Sequence, residues 1–185
     1  MARSASASNK GALQLAVLAG LCGGLAEMLW VGGYGYAGFS PLSGGEVARQ
    51  ITASIVPAAA DSPLAVVLGI SIHFLLSALL GLTFAWLIWR PFLRKRGVAG
   101  TLLGSVAVLT LIWAVNFFAV LPFFYSAFVV LMPYGVTLAS KIMFGIVMGL
   151  VLQFEAVGET GRRRLCDLNC RAPDHRRVFP ALGGF

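Results

Sequence analysis

Apolar residues arrive in four long runs, near 11–33, 63–89, 98–121 and 133–154, separated by short polar or basic stretches. Each run matches what a helix needs to cross a hydrocarbon core, about 20 residues at roughly 1.5 Å each. Small and polar residues recur inside the runs at three- and four-residue steps. They are Gly20, Gly23, Gly24 and Glu27; Gly69, His73, Ser77 and Gly81; Thr101, Ser105 and Asn116; and Thr137, Lys141, Gly145 and Gly149. Such steps gather residues on one face of a helix. The pattern predicts an all-α fold, an integral membrane four-helix transmembrane bundle. Residues 1–10 form a cytoplasmic N-terminal segment, 11–154 the membrane domain and 155–185 a flexible basic cytoplasmic tail.

Local signals set the boundaries. The first run is too long for a signal-peptide core and lacks a small-residue cleavage site, so it is expected to stay in the mature chain. Asp61-Ser62-Pro63 reads as an N-cap followed by proline in the first turn of the second span, which ends at Trp86, Trp89 and Arg90-Pro91. The third span ends at Leu121-Pro122 and the fourth begins at Pro133. Residues 122–132 carry no charge, which predicts a connection in the membrane interface. In the loop 34–62, Ser43-Gly44-Gly45-Glu46 matches a capping box and is followed by Val47, Ile51 and Ile55 at helical spacing. A short outer interfacial helix is predicted there, lying on the leaflet or packing over the mouth of the bundle.

Composition agrees with burial in lipid. Of 185 residues, 58% are hydrophobic and 11% charged, against roughly 25% charged in soluble domains; the mean hydropathy is +0.86. Soluble, disordered, collagen-like and disulfide-scaffold classes are excluded. A net charge of +7 would suggest nucleic acid only if the cations shared one soluble face. Instead they flank the spans. Arg3 and Lys10 precede the first; Arg90, Arg94, Lys95 and Arg96 join the second to the third; Arg162, Arg163, Arg164, Arg171, Arg176 and Arg177 follow the fourth. Only Arg49 lies in the opposite loops. The positive-inside rule then puts both termini in the cytoplasm. The partners implied are the lipid bilayer and a membrane complex or a second copy of the chain, with no nucleic acid.

Ionisable groups in a bilayer cost roughly 2.5 to 3.5 kcal/mol each on insertion scales, so each needs a partner or a purpose. Glu27, His73 and Lys141 lie inside spans, joined by the amide Asn116. Counting inward from the outer span ends at 1.5 Å per residue gives depths of roughly 9, 14, 12 and 8 Å for Glu27, His73, Lys141 and Asn116. All four fall in the outer half. They are binding or ion-pair candidates, expected to point inward near the outer mouth. Glu27 and Lys141 suit either a structural ion pair or a ligand or proton site. His73 suits a buried imidazole, a proton relay or an axial haem ligand, and Asn116 suits interhelical hydrogen bonding. Gly20, Gly24, Gly69, Ser77, Gly81, Gly145 and Gly149 are the expected helix-packing positions, two pairs having the spacing for backbone contact.

Cys166, Cys170 and His175 are metal-ligand types in a non-standard spacing, and His73 is a lone imidazole, so both are weak metal candidates. No phosphate loop, dinucleotide fingerprint, nucleophile elbow or HExxH is present, so no catalytic residue is assigned and no cofactor is clearly indicated. Trp30, Trp86, Trp89 and Tyr134 read as interface anchors. Phe117, Phe118, Phe123, Phe124 and Tyr125 give the third span an aromatic outer end suited to lipid, a quinone-like ring or a partner subunit.

Through Ala26-Glu27-Met28-Leu29-Trp30, Ile72-His73-Phe74-Leu75-Leu76-Ser77 and Trp113-Ala114-Val115-Asn116-Phe117, the chain resembles small four-span bacterial inner-membrane proteins. That resemblance implies an architecture and a location, and it carries over no functional residue. Three functions stay open: a non-enzymatic accessory or assembly subunit of a membrane complex, a small transporter or proton-coupled carrier using Glu27, His73 and Lys141, and a haem- or quinone-associated redox protein.

Overall fold

The computed structural model describes residues 2–37, 43–124 and 133–171, with side chains described for 11–37, 43–123 and 133–154. The chain is all-α, and no strand occurs among the described residues. Helix α1 spans Ala2–Tyr36 and α2 Gly44–Ile55. After a 3-10 turn at Pro57–Ala59, α3 runs over Ala65–Phe84 and widens into a π-helical end, Ala85–Leu93. Helix α4 covers Gly97–Val115, continues as a π turn at Asn116–Val120, and closes with a short turn at Leu121–Phe124. Helix α5 covers Tyr134–Arg171. Four stretches are long and apolar enough to cross a membrane: Gly11–Tyr36, Ala65–Leu93, Gly97–Phe123 and Tyr134–Phe154.

Neighbouring helices follow the order α3–α1–α5–α4, and α3 approaches α4 chiefly through its end at Ala85–Leu93. Small residues decide this order because they let backbones touch. A Cβ at Gly81 would run into Ala16 and Gly20 of α1, and one at Gly145 would meet the backbone of Ser105 and Val106 of α4. Gly20 and Gly24 face Ser77, while Gly23 faces the Phe144 ring. The core is Ala16, Ala19, Phe84, Ala85, Trp89, Leu109, Phe144, Met148 and Leu152. Large apolar residues turned outward, among them Leu29, Leu75, Leu87, Leu103, Leu111 and Phe123, are exposed. Such a surface fits hydrocarbon.

Several boundaries differ from the expectation for physical reasons. Helix α3 starts at Ala65 after Leu64, without a side-chain cap, and Ser62 offers only its carbonyl, to the Ala65 N–H at 3.1 Å. The anticipated Asp61-Ser62-Pro63 cap therefore belongs to the preceding turn. The span also continues past Pro91, because the wider π turn, closed by the Arg94 N–H on the Trp89 carbonyl at 2.7 Å, accommodates a residue that has no N–H. The same device ahead of Pro122 joins the Leu121 N–H to the Asn116 carbonyl. Helix α5 runs to Arg171, and no proline interrupts the chain between 133 and 173.

Helix α2 is capped by Ser43, whose Oγ accepts from the Glu46 N–H at 3.2 Å. Glu46 does not complete the box, and its carboxylate accepts from Gln50 Nε2 at 3.1 Å instead. The packed face is Ala48 and Thr52, laid against α3 and α1, while Val47 and Ile51 are half-buried and Ile55 exposed. Gly69, expected between spans, receives α2: a Cβ there would collide with the Ala48 carbonyl. Thr52 donates to the Ala65 carbonyl at 2.6 Å and so ties α2 to the first turn of α3.

Candidate functional site

A four-residue step advances about 40° beyond a full helical turn, so each buried stripe drifts around its helix. On α1 the drift brings Glu27 against α5. Lys141 Nζ donates to Glu27 Oε1 at 2.5 Å, and the two side chains keep 25% and 12% of their surface. Ser140 Oγ lies 3.2 Å from the same oxygen and 2.8 Å from the Thr137 carbonyl; with one proton to give, it serves one acceptor at a time. Glu27 Oε2 is buried and has no hydrogen-bond partner. The Lys141 ammonium also lies 5.8 Å from the centre of the Phe144 ring. Glu27 is nine residues from the end of α1 and Lys141 seven from the start of α5, or roughly 10 to 14 Å from those ends.

His73 is not part of this group. Its Nε2 lies 3.0 Å from the Gly24 carbonyl, and an oxygen that only accepts puts the ring proton on Nε2. The imidazole therefore bridges α3 to α1 on a different side of α1 from Glu27, with Phe74 edge-on at 5.6 Å. Asn116 makes no side-chain hydrogen bond among the described residues. The buried stripe of α4 runs Thr101, Ser105, Leu109, Trp113, Phe117 and has rotated past Asn116 at that level. Similar depth thus did not make one site of the four groups.

The seam between α4 and α5 holds further buried polar contacts. Gln153 Nε2 donates to Thr101 Oγ1 at 2.6 Å and to the Gly97 carbonyl at 2.8 Å. Ser105 donates to the Gly145 carbonyl at 2.8 Å, with Gly149 giving it room. Trp113 Nε1 donates to Thr137 Oγ1 at 3.0 Å, beneath an aromatic group of Trp113, Phe117, Phe118 and Tyr134. Ser140 and Gln153 were missed in the sequence. Gln153 had a readable signal, since it is the next four-residue step after Gly145 and Gly149.

Among the interface anchors, Trp30 is partly exposed and donates to the Val136 carbonyl at 3.2 Å, while Trp86 is 47% exposed. Trp89, expected at the interface, is instead buried in the core, because the π turn swings it inward, and its indole N–H has no acceptor. Among the described residues no three metal-ligating side chains gather, so His73 stands alone in this respect. The side chains of Cys166 and Cys170, and His175 altogether, lie outside the described residues, as do Tyr125 and the rest of 125–132. No protein-family model, curated protein or solved structure matches the chain.

Proposed function

We propose that this four-span protein is a non-enzymatic accessory or assembly component of a membrane complex, sited in a bacterial inner membrane with both termini cytoplasmic. The observation that carries the reading is how the intramembrane polar groups are used. Glu27 is held by Lys141, His73 by the Gly24 carbonyl, and Gln153 by Thr101 and Gly97, each across a seam between two helices. Polar groups committed to separate seams act as interhelical fasteners. A carrier would be expected to gather them around one substrate. The orientation rests on the distribution of Lys and Arg.

The test is gentle extraction from native membranes followed by native mass spectrometry. The reading expects the 19.6 kDa chain in a larger assembly with defined stoichiometry. A lone chain that, once reconstituted, moves a solute or protons in a manner abolished by Glu27→Gln would overturn it in favour of the carrier. The single feature favouring that second reading is the unpartnered, buried Glu27 Oε2.

A further inference from the structure

Between α3 and α4 the chain carries Arg90, Arg94, Lys95 and Arg96, and no acidic residue occurs in the sequence between Asp61 and Glu155. Among the described residues Lys95 and Arg96 have no ion-pair partner. We propose that this turn binds the phosphate of an anionic phospholipid in the leaflet it meets.

Its backbone is held in place from several directions. The Arg94 N–H reaches the Trp89 carbonyl at 2.7 Å and the Arg96 N–H the Leu93 carbonyl at 2.9 Å. Thr101 Oγ1 donates to the Leu93 carbonyl at 3.3 Å, and Gln153 of α5 holds the Gly97 carbonyl. Gly97 makes the reversal with a φ of +70°, a conformation that favours glycine. The cations are therefore displayed on a fixed frame, which lowers the ordering cost of binding.

The donors at this frame outnumber its acceptors. The first turn of α4 has no side-chain cap, which leaves the positive end of the helix open beside the basic run. The stem of Arg96 lies along that turn against Gly100, where a Cβ would displace it. The Arg90 guanidinium lies 5.0 Å over the Trp86 ring; a guanidinium placed over a ring keeps its in-plane N–H groups for an anion.

Exposed apolar side chains flank these cations and select a lipid over a free anion. Phe92 is 66% exposed and Val98 48%, at the ends of two spans, where acyl chains begin and phosphates lie. A phosphodiester above and a hydrocarbon chain below complement this pairing of charge and apolar surface.

The test uses the full chain in neutral detergent, with native mass spectrometry reading how much dioleoyl phosphatidylglycerol or dioleoyl phosphatidylcholine stays bound. Phosphatidylglycerol should be retained in preference. Lys95→Gln and Arg96→Gln should each weaken it about five-fold, the scale of one cation near an anionic surface. Arg49→Gln and Arg49→Ala in the opposite loop are controls that should leave retention unchanged. Arg96→Lys, which keeps the charge and the fold, should recover most of the loss seen with Arg96→Gln. Equal retention of both lipids, equal losses in the controls, or competition by inorganic phosphate as strong as by the lipid would overturn the proposal.

Discussion

Removing either partner of the Glu27–Lys141 pair should be costly, and unequally so. At 2.5 Å and an effective dielectric of about 20, the gross attraction is roughly 7 kcal/mol, and desolvating two ions cancels most of it. The larger effect is the charge left behind. Lys141→Met strands a carboxylate that is 12% exposed and already has one oxygen without a donor, so a loss of about 3 to 4 kcal/mol is expected. Glu27→Gln strands an ammonium that is 25% exposed, on a long stem that can reach toward the interface, so about 2 kcal/mol is expected. The double variant Glu27→Gln/Lys141→Met leaves no orphan charge and should lie within about 1.5 kcal/mol of the parent. Unfolding equilibria in mixed micelles, combined as a double-mutant cycle, measure this directly. A coupling below about 0.5 kcal/mol would show that the pair does not meet in the membrane. A larger loss for Glu27→Gln than for Lys141→Met would refute the burial argument.

Other consequences follow from single contacts. Gly81→Ala puts a methyl against the Ala16 carbonyl and the Gly20 backbone and should cost about 2 kcal/mol, whereas Gly32→Ala, with open space around it, should be neutral or slightly stabilising by thermal denaturation. Gln153→Leu removes two hydrogen bonds between α4 and α5 and should cost on the order of 1 kcal/mol; no loss would show that these bonds are replaced. Thr52→Val should free α2 from Ala65, detected as faster hydrogen exchange over Gly44–Ile55 with the spans unchanged.

The spans were legible because charge and proline punctuate long apolar runs: Arg90-Pro91 and Pro133 each lie within four residues of an observed end. The packing faces were legible too, since Gly20, Gly24, Ser77, Gly81, Gly145 and Gly149 are small at four-residue steps and all meet a neighbouring helix. Helix order was not legible. Depth can be counted along one helix, but which neighbour a side chain meets depends on an order, α3–α1–α5–α4, that no local pattern encodes. Hence Glu27 and His73, at similar depth, point across different seams of α1. Asn116 was misplaced because its stripe was read as straight, whereas a four-residue stride rotates. Trp89 was misread because a lone proline usually ends a helix, and here a π turn carries the chain past it.

Thiol accessibility in sealed cells tests the membrane arrangement most directly. In a background with Cys22, Cys166 and Cys170 replaced by Ala, Ser54→Cys, at an exposed position of α2, should react with an impermeant reagent from outside. A chain keeping only Cys166 should react only after the cells are opened. Leu103→Cys, on the outward face of α4, should resist the reagent in both cases. Labelling of Cys166 in intact cells together with protection of Ser54→Cys would reverse the orientation, and ready labelling of Leu103→Cys would show that α4 does not cross the membrane.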